Sequence, residues 1–176
     1  MTVRLSPEYA AIQEHYGTRR AERSQVMLME HINQGLRILQ AIGADYATQC
    51  AYCLHPLFQN DAELLSTGVG YAHYSKNPYS IMLVMEYRQQ ANAWLSDKVR
   101  SSAGAIYHDG EPHPGPLFEV KNMLIADKVQ NYKDFLLHHF TTHERAQELD
   151  FYFMRWLKVL GITPIRFQDL CVIAQG

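Results

Sequence analysis

A chain of 176 residues, 47% hydrophobic and 19% charged, has the size and composition of one globular domain that can bury a core without disulfides. A formal net charge of −2 excludes a broad basic surface for DNA or RNA and an acidic solvating tail, although nine histidines leave room for a local cluster that turns cationic just below neutral pH. Three cysteines make no disulfide framework, the amino terminus carries no signal-peptide run, and the longest clean apolar run (81–85) is far too short to span a bilayer, so a cytoplasmic protein is expected.

In chain order, Ser6 before Pro7 combines a helix cap with proline at the first helical position and predicts a short helix over 7–15. An arginine-rich polar turn covers 17–23. Ser24 is expected to cap a longer helix that runs to Ile42 and stops at Gly43. Within it Met29, Ile32, Leu36 and Leu39 recur at three- and four-residue steps as a core stripe. Asp45 can cap the next helix, which passes through Cys50, Cys53 and Leu54. Pro56 disfavours helical geometry at the residue before it, so this helix is expected to end or bend at His55.

Asn77 and Pro78 repeat the cap-plus-proline signal and predict an amphipathic helix over 79–99, with Met82, Met85, Tyr87, Ala91 and Trp94 as a core stripe. On that helix Glu86 and Arg88 face either solvent or a second copy across a dimer, so a homo-oligomer stays open. Residues 104–116, with three glycines and three prolines, form a surface loop carrying His108 and His113. A helix bearing Leu117, Val120, Leu124, Ile125 and Val129 should end near His138 and His139. Thr141 with Glu144 is a capping-box pattern for the last long helix, closed by Gly161, and 162–176 adds a turn or a short helix. Sustained period-two alternation and internal repeats are both lacking. The expectation is one all-α domain.

The chemistry concentrates on His31, His55 and Asp127. His31 flanks the core stripe, with Gly35 one turn later. His55 ends an apolar helix, and Asp127 stands in an otherwise apolar stretch where a lone carboxylate would be costly to bury. Two imidazoles and a carboxylate from three helices would suit a borderline divalent cation such as manganese, iron or zinc. Cys50 and Cys53 form a lone Cys-x-x-Cys in an apolar helix, where cysteine reads as a small buried side chain rather than a zinc or redox site. His138, His139 and His143 border a helix junction, where capping accounts for the His138–His139 pair.

The order of these residues resembles a known family. His15-Tyr16-Gly17-Thr18-Arg19-Arg20, then Met29-Glu30-His31, then Ala51-Tyr52-Cys53-Leu54-His55-Pro56 is similar to the opening of the Rel/SpoT-type (p)ppGpp hydrolase domains, members of the HD-domain phosphohydrolases. Leu124-Ile125-Ala126-Asp127-Lys128-Val129-Gln130-Asn131 resembles that family's closing Leu-Ala-Asp-Lys/Arg-x-x-Asn motif, and the likeness covers roughly residues 12–135. It implies an HD-domain-like helical bundle and a metal-dependent phosphohydrolase acting on a (p)ppGpp-like or other purine nucleotide. His31, His55 and Asp127 match the metal ligands, with Mn2+ the expected ion. Asn131, Lys128 and Arg19 or Arg20 match positions that contact the nucleotide.

The chain departs from the pattern in one turn. Pro56 stands where the family has the aspartate of its His-Asp pair, and Gln59-Asn60 replaces a Glu-Asp pair, so three carboxylates are gone. Gln59 and Asn60 keep the hydrogen-bonding reach of the catalytic pair but cannot take a proton or carry charge. Asp61 or Glu63 could take over one of those roles if the turn after Pro56 is displaced. The alternative implied by these losses is a catalytically inactive HD-like module that binds a nucleotide for regulation. A helical interaction protein that inherited only the fold is a third reading.

Overall fold

The computed structural model describes residues 2–22, 24–59, 61–66, 74–93 and 116–176. After a short 3-10 turn, Val3–Leu5, come α1 (Pro7–Tyr16), α2 (Leu28–Ala41), α3 (Tyr46–Gln59), α4 (Asp61–Ser66), α5 (Pro78–Ala93), α6 (Phe118–His138), α7 (Ala146–Leu160) and α8 (Pro164–Gln175). Among the described residues there is no strand, only one isolated bridge between Arg20 and Met27, so the fold is all-α as expected. No helix among these residues is long and apolar enough to cross a membrane. The chain divides into two compact units, one formed by residues 1–12 and 45–121 and the other by 13–44 and 122–176. Asn60, Trp94, the expected helix beyond Ala93, and His108 and His113 with most of their loop lie outside the described residues.

The first unit is organised by α3 and α5. Asp45 Oδ1 accepts from the Thr48 amide at 2.7 Å, and Asn77 Oδ1 accepts from the Tyr79 amide at 3.0 Å, so both expected caps are present. Ala51, Tyr52, Leu54 and Phe58 of α3 and Leu83, Val84 and Tyr87 of α5 are buried. Of the two expectations for His55, an end or a bend, the end is not found: α3 passes through Pro56 to Gln59. Two features oppose the proline's cost. Leu57 and Phe58 beyond it are each only 1% exposed, so ending the helix early would forfeit a large apolar burial. The Arg88 guanidinium donates to the carbonyls of Phe58 (2.7 Å) and Gln59 (2.6 Å), holding the helix's last turn.

In the second unit, α2 buries the expected stripe Met29, Ile32, Leu36 and Leu39, and packs against α8. Arg37 donates to the Ala174 carbonyl at the end of α8 at 2.6 Å. The start of α2 differs from expectation: it begins at Leu28, and Ser24 does not cap it. The Ser24 hydroxyl instead accepts from the Val26 amide, and Gln25 takes a left-handed φ of 58°, so the chain turns before the helix opens. Nor does Thr141 open α7. The His139 carbonyl accepts from the Thr142 and His143 amides, and His143 Nδ1 accepts from the Arg145 amide, which spends residues 139–145 on a turn. Gly161 closes α7 as expected, at φ 77°, where a side chain would be strained. The tail is a full helix rather than a turn, because Thr163 Oγ1 accepts from the Arg166 amide and Pro164 occupies the first helical position.

Because the Asp45 cap satisfies one otherwise unbonded amide of α3, Asp45→Ala is expected to lower the unfolding free energy by about 1 kcal/mol. In a urea titration this reads as a lower midpoint at unchanged slope.

Candidate functional site

The second unit brings His31 and Asp127 together from α2 and α6. Asp127 is 3% exposed, in keeping with its apolar sequence surroundings, and its carboxylate is surrounded by polar partners. Asp127 Oδ2 pairs with Lys128 Nζ at 2.9 Å, and Asp127 Oδ1 accepts from Asn131 Nδ2 at 2.8 Å. The same Oδ1 lies 3.5 Å from His31 Nε2. The opposite face of that ring is fixed: Nδ1 donates to Gln130 Oε1 at 2.5 Å, and Gln130 Nε2 donates to Asp134 Oδ2 at 2.6 Å. With the amide oriented by Asp134, the neutral His31 ring carries its proton on Nδ1 and its lone pair on Nε2, facing the carboxylate.

The spacing is chemically telling. An imidazolium donating to a carboxylate closes to about 2.7–2.9 Å. Two donors bound to one ion at about 2.1 Å, at angles between tetrahedral and octahedral, lie about 3.0–3.4 Å apart. The 3.5 Å between His31 and Asp127 is close to the second geometry and long for the first.

His55 belongs to the first unit and is 2% exposed. Its Nδ1 donates to the Tyr52 carbonyl at 2.6 Å, so its neutral form also carries the lone pair on Nε2. The rings of Tyr52 and Tyr87 pack on it, with centroids at 4.6 and 5.1 Å. In both histidines Nδ1 is tied to an oxygen acceptor, Gln130 Oε1 for His31 and the Tyr52 carbonyl for His55. Imidazole nitrogen and carboxylate oxygen are the donor types that a borderline divalent ion takes.

The remaining sequence candidates are placed as follows. Lys128 is buried, with Nζ 5.0 Å from the centroid of the Trp156 ring and 5.9 Å from that of Tyr152. Burial pushes its ammonium down, but the charge of Asp127 and the Tyr152 hydroxyl outweigh this and leave it raised overall. Asn131 holds Asp127. Arg19 and Arg20 are exposed: Arg19 lies over the Tyr16 ring and donates to the Tyr16 and His15 carbonyls, and Arg20 donates to the Gln25 carbonyl. Gln59 is half-buried at the end of α3, and Asp61, exposed at the start of α4, pairs with Arg88. Nothing is described of the Glu63 side chain.

Sequence reasoning missed the roles of Gln130, Asp134 and Arg88. The first two had a signal: residues 127, 130, 131 and 134 fall at three- and four-residue steps on one face of α6. Arg88 had none, and neither it nor Glu86 stands unengaged, since Glu86 Oε1 accepts from the Leu117 amide at 2.8 Å. Cys50 and Cys53 are buried in α3. Burial foremost pushes Cys50 up to about 11 and Cys53 well above the usual thiol range, and Cys171 likewise up to about 11.

Compared with protein-family models, with curated proteins and with solved structures, the chain matches none.

Two outcomes follow from this geometry. Lys128→Met leaves a buried carboxylate without its principal counter-charge and is expected to cost about 3–5 kcal/mol of stability, measured by denaturant unfolding. All three thiols are expected to react with a thiol reagent at pH 8 much more slowly in the native protein than after unfolding in guanidinium. Rapid native labelling of Cys50 and Cys53 would reopen a redox role for that pair.

Proposed function

We propose that this protein is a metal-dependent phosphohydrolase acting on a nucleotide, with His31, His55 and Asp127 holding a divalent ion, Mn2+ in the first instance. The observation that carries the reading is the 3.5 Å approach of His31 Nε2 to Asp127 Oδ1, with the far side of the imidazole anchored on Gln130 and Asp134. The likeness of motif order to the (p)ppGpp hydrolase domains supports the same three ligands and a purine nucleotide carrying phosphates as the substrate class. A divalent ion held there supplies Lewis acidity toward a phosphate.

The chain's own groups divide the remaining work. Asn131 fixes one carboxylate oxygen of Asp127, and Lys128 balances the other. Arg19 and Arg20, exposed and forked, are suited to phosphate or to stacking on a base. Asp61, tethered by Arg88 just past α3, keeps a carboxylate next to Gln59 and Asn60, where the family places its catalytic pair. That makes Asp61 the candidate to orient or deprotonate the attacking water.

One observation favours a second reading. Pro56, Gln59 and Asn60 remove the central carboxylates, and Lys128 already neutralises Asp127, which suits a nucleotide-binding regulatory module without turnover.

Metal analysis of the purified protein, joined to a nucleotide turnover screen with and without Mn2+, separates the two. The enzyme reading expects bound divalent metal and Mn2+-stimulated release of phosphate or pyrophosphate, both lost in Asp127→Ala. Thermal stabilisation by a nucleotide with no product formed supports the regulatory reading. Protein that takes up no metal and responds to no nucleotide rejects both.

A further inference from the structure

Pro56 is the sequence's most conspicuous departure from the family it resembles, and it sits beside a ligand of the proposed centre. In an α-helix the amide of residue 56 would donate to the carbonyl of residue 52. Proline has no amide hydrogen, so that bond cannot form. The helix nevertheless continues through Pro56 to Gln59. The carbonyl deprived of its helical donor is that of Tyr52, and this is the oxygen to which His55 Nδ1 donates at 2.6 Å.

We infer that Pro56 is a positioning residue for His55: by withholding the backbone donor from the Tyr52 carbonyl, it reserves that oxygen for His55 Nδ1–H and fixes the tautomer that presents Nε2. This inference deepens the proposed function and rests on it for its consequence in metal binding. The tautomer itself is independent of any metal.

The geometry accounts for why a proline serves here. The His55 ring is buried between Tyr52 and Tyr87, so an unpaired ring N–H would be costly, and bulk water is not at hand to satisfy it. An acceptor must come from the fold, and in a helix interior a side-chain donor shares each carbonyl with the amide four residues on. Proline at position 56 removes that one competing donor from the carbonyl that a histidine at position 55 can reach back to. In His31 the same task falls to a side chain, Gln130, held by Asp134. The two rings thus reach one protonation pattern by different routes.

The test uses Pro56→Ala in the full chain. Alanine restores the helical hydrogen bond and removes the helix-interior proline, so the variant is expected to fold and to melt at a higher temperature than the parent. The restored amide competes for the Tyr52 carbonyl. In the metal-free protein at alkaline pH, 15N–1H correlation spectra of the His55 ring should therefore show the Nδ1–H form in the parent and a loss of that form in the variant. The affinity for Mn2+, followed by isothermal titration calorimetry, should weaken by about 10-fold or more. A gain in stability accompanied by a loss in metal affinity is a combination that a purely structural proline would not produce. If His55 keeps its Nδ1–H form in Pro56→Ala, with Mn2+ affinity within about twofold of the parent, the inference fails. A parent that binds no Mn2+ while the tautomer still shifts would sink the metal reading and leave the positioning role standing.

Discussion

The carboxylate of Asp127 sets the terms for the second unit. A charge buried to this degree costs several kcal/mol unless partners replace its water, and everything around it supplies such partners. Lys128 meets one oxygen and Asn131 the other, while His31 presents a nitrogen at a distance greater than a hydrogen bond needs. The compensation extends outward, since Lys128 is itself buried and lies over Trp156 and beside Tyr152, with α7 supplying both rings. Contacts thus run from one acidic residue on α6 to Asn131, to the basic residue next to it, and on to the aromatic rings facing that base.

The two histidines show how differently a fold can solve one problem. Each ring must commit its proton to one nitrogen if the other is to act as a ligand. For His31 the acceptor is an amide oxygen whose orientation is enforced by a carboxylate one helical turn on. For His55 it is a backbone carbonyl within the same helix. The first solution is spread over two helices and involves several side chains. The second is local and hinges on the covalent structure of the next residue. Read as a motif, Pro56 looks like pure loss, an absent metal-binding carboxylate. In its helix it has a chemical consequence of its own.

What could be read from the sequence was governed by how local the interactions are. The Asp45 and Asn77 caps, the buried stripe of α2 and the left-handed Gly161 all act within a few residues, and the structure has each of them. The start of α2 escaped because the Ser24 hydroxyl had a nearer amide to bond, that of Val26. Whether α3 would end at His55 or go on was not decided locally, because its supports lie elsewhere, in the burial of Phe58 and in Arg88 thirty residues away from the carbonyl it holds. His31, His55 and Asp127 were legible as residue types in an order. The clamp on His31 was not, because it joins positions 99 residues apart.

Electron spin-echo spectroscopy of the Mn2+-loaded protein with 15N-labelled histidine tests the proposal that His31, His55 and Asp127 are ligands to one divalent ion. The expected result is coupling of the manganese to histidine nitrogen, diminished in His31→Gln and in His55→Gln taken separately. Mn2+ that binds without any histidine coupling, or coupling indifferent to both substitutions, would contradict it.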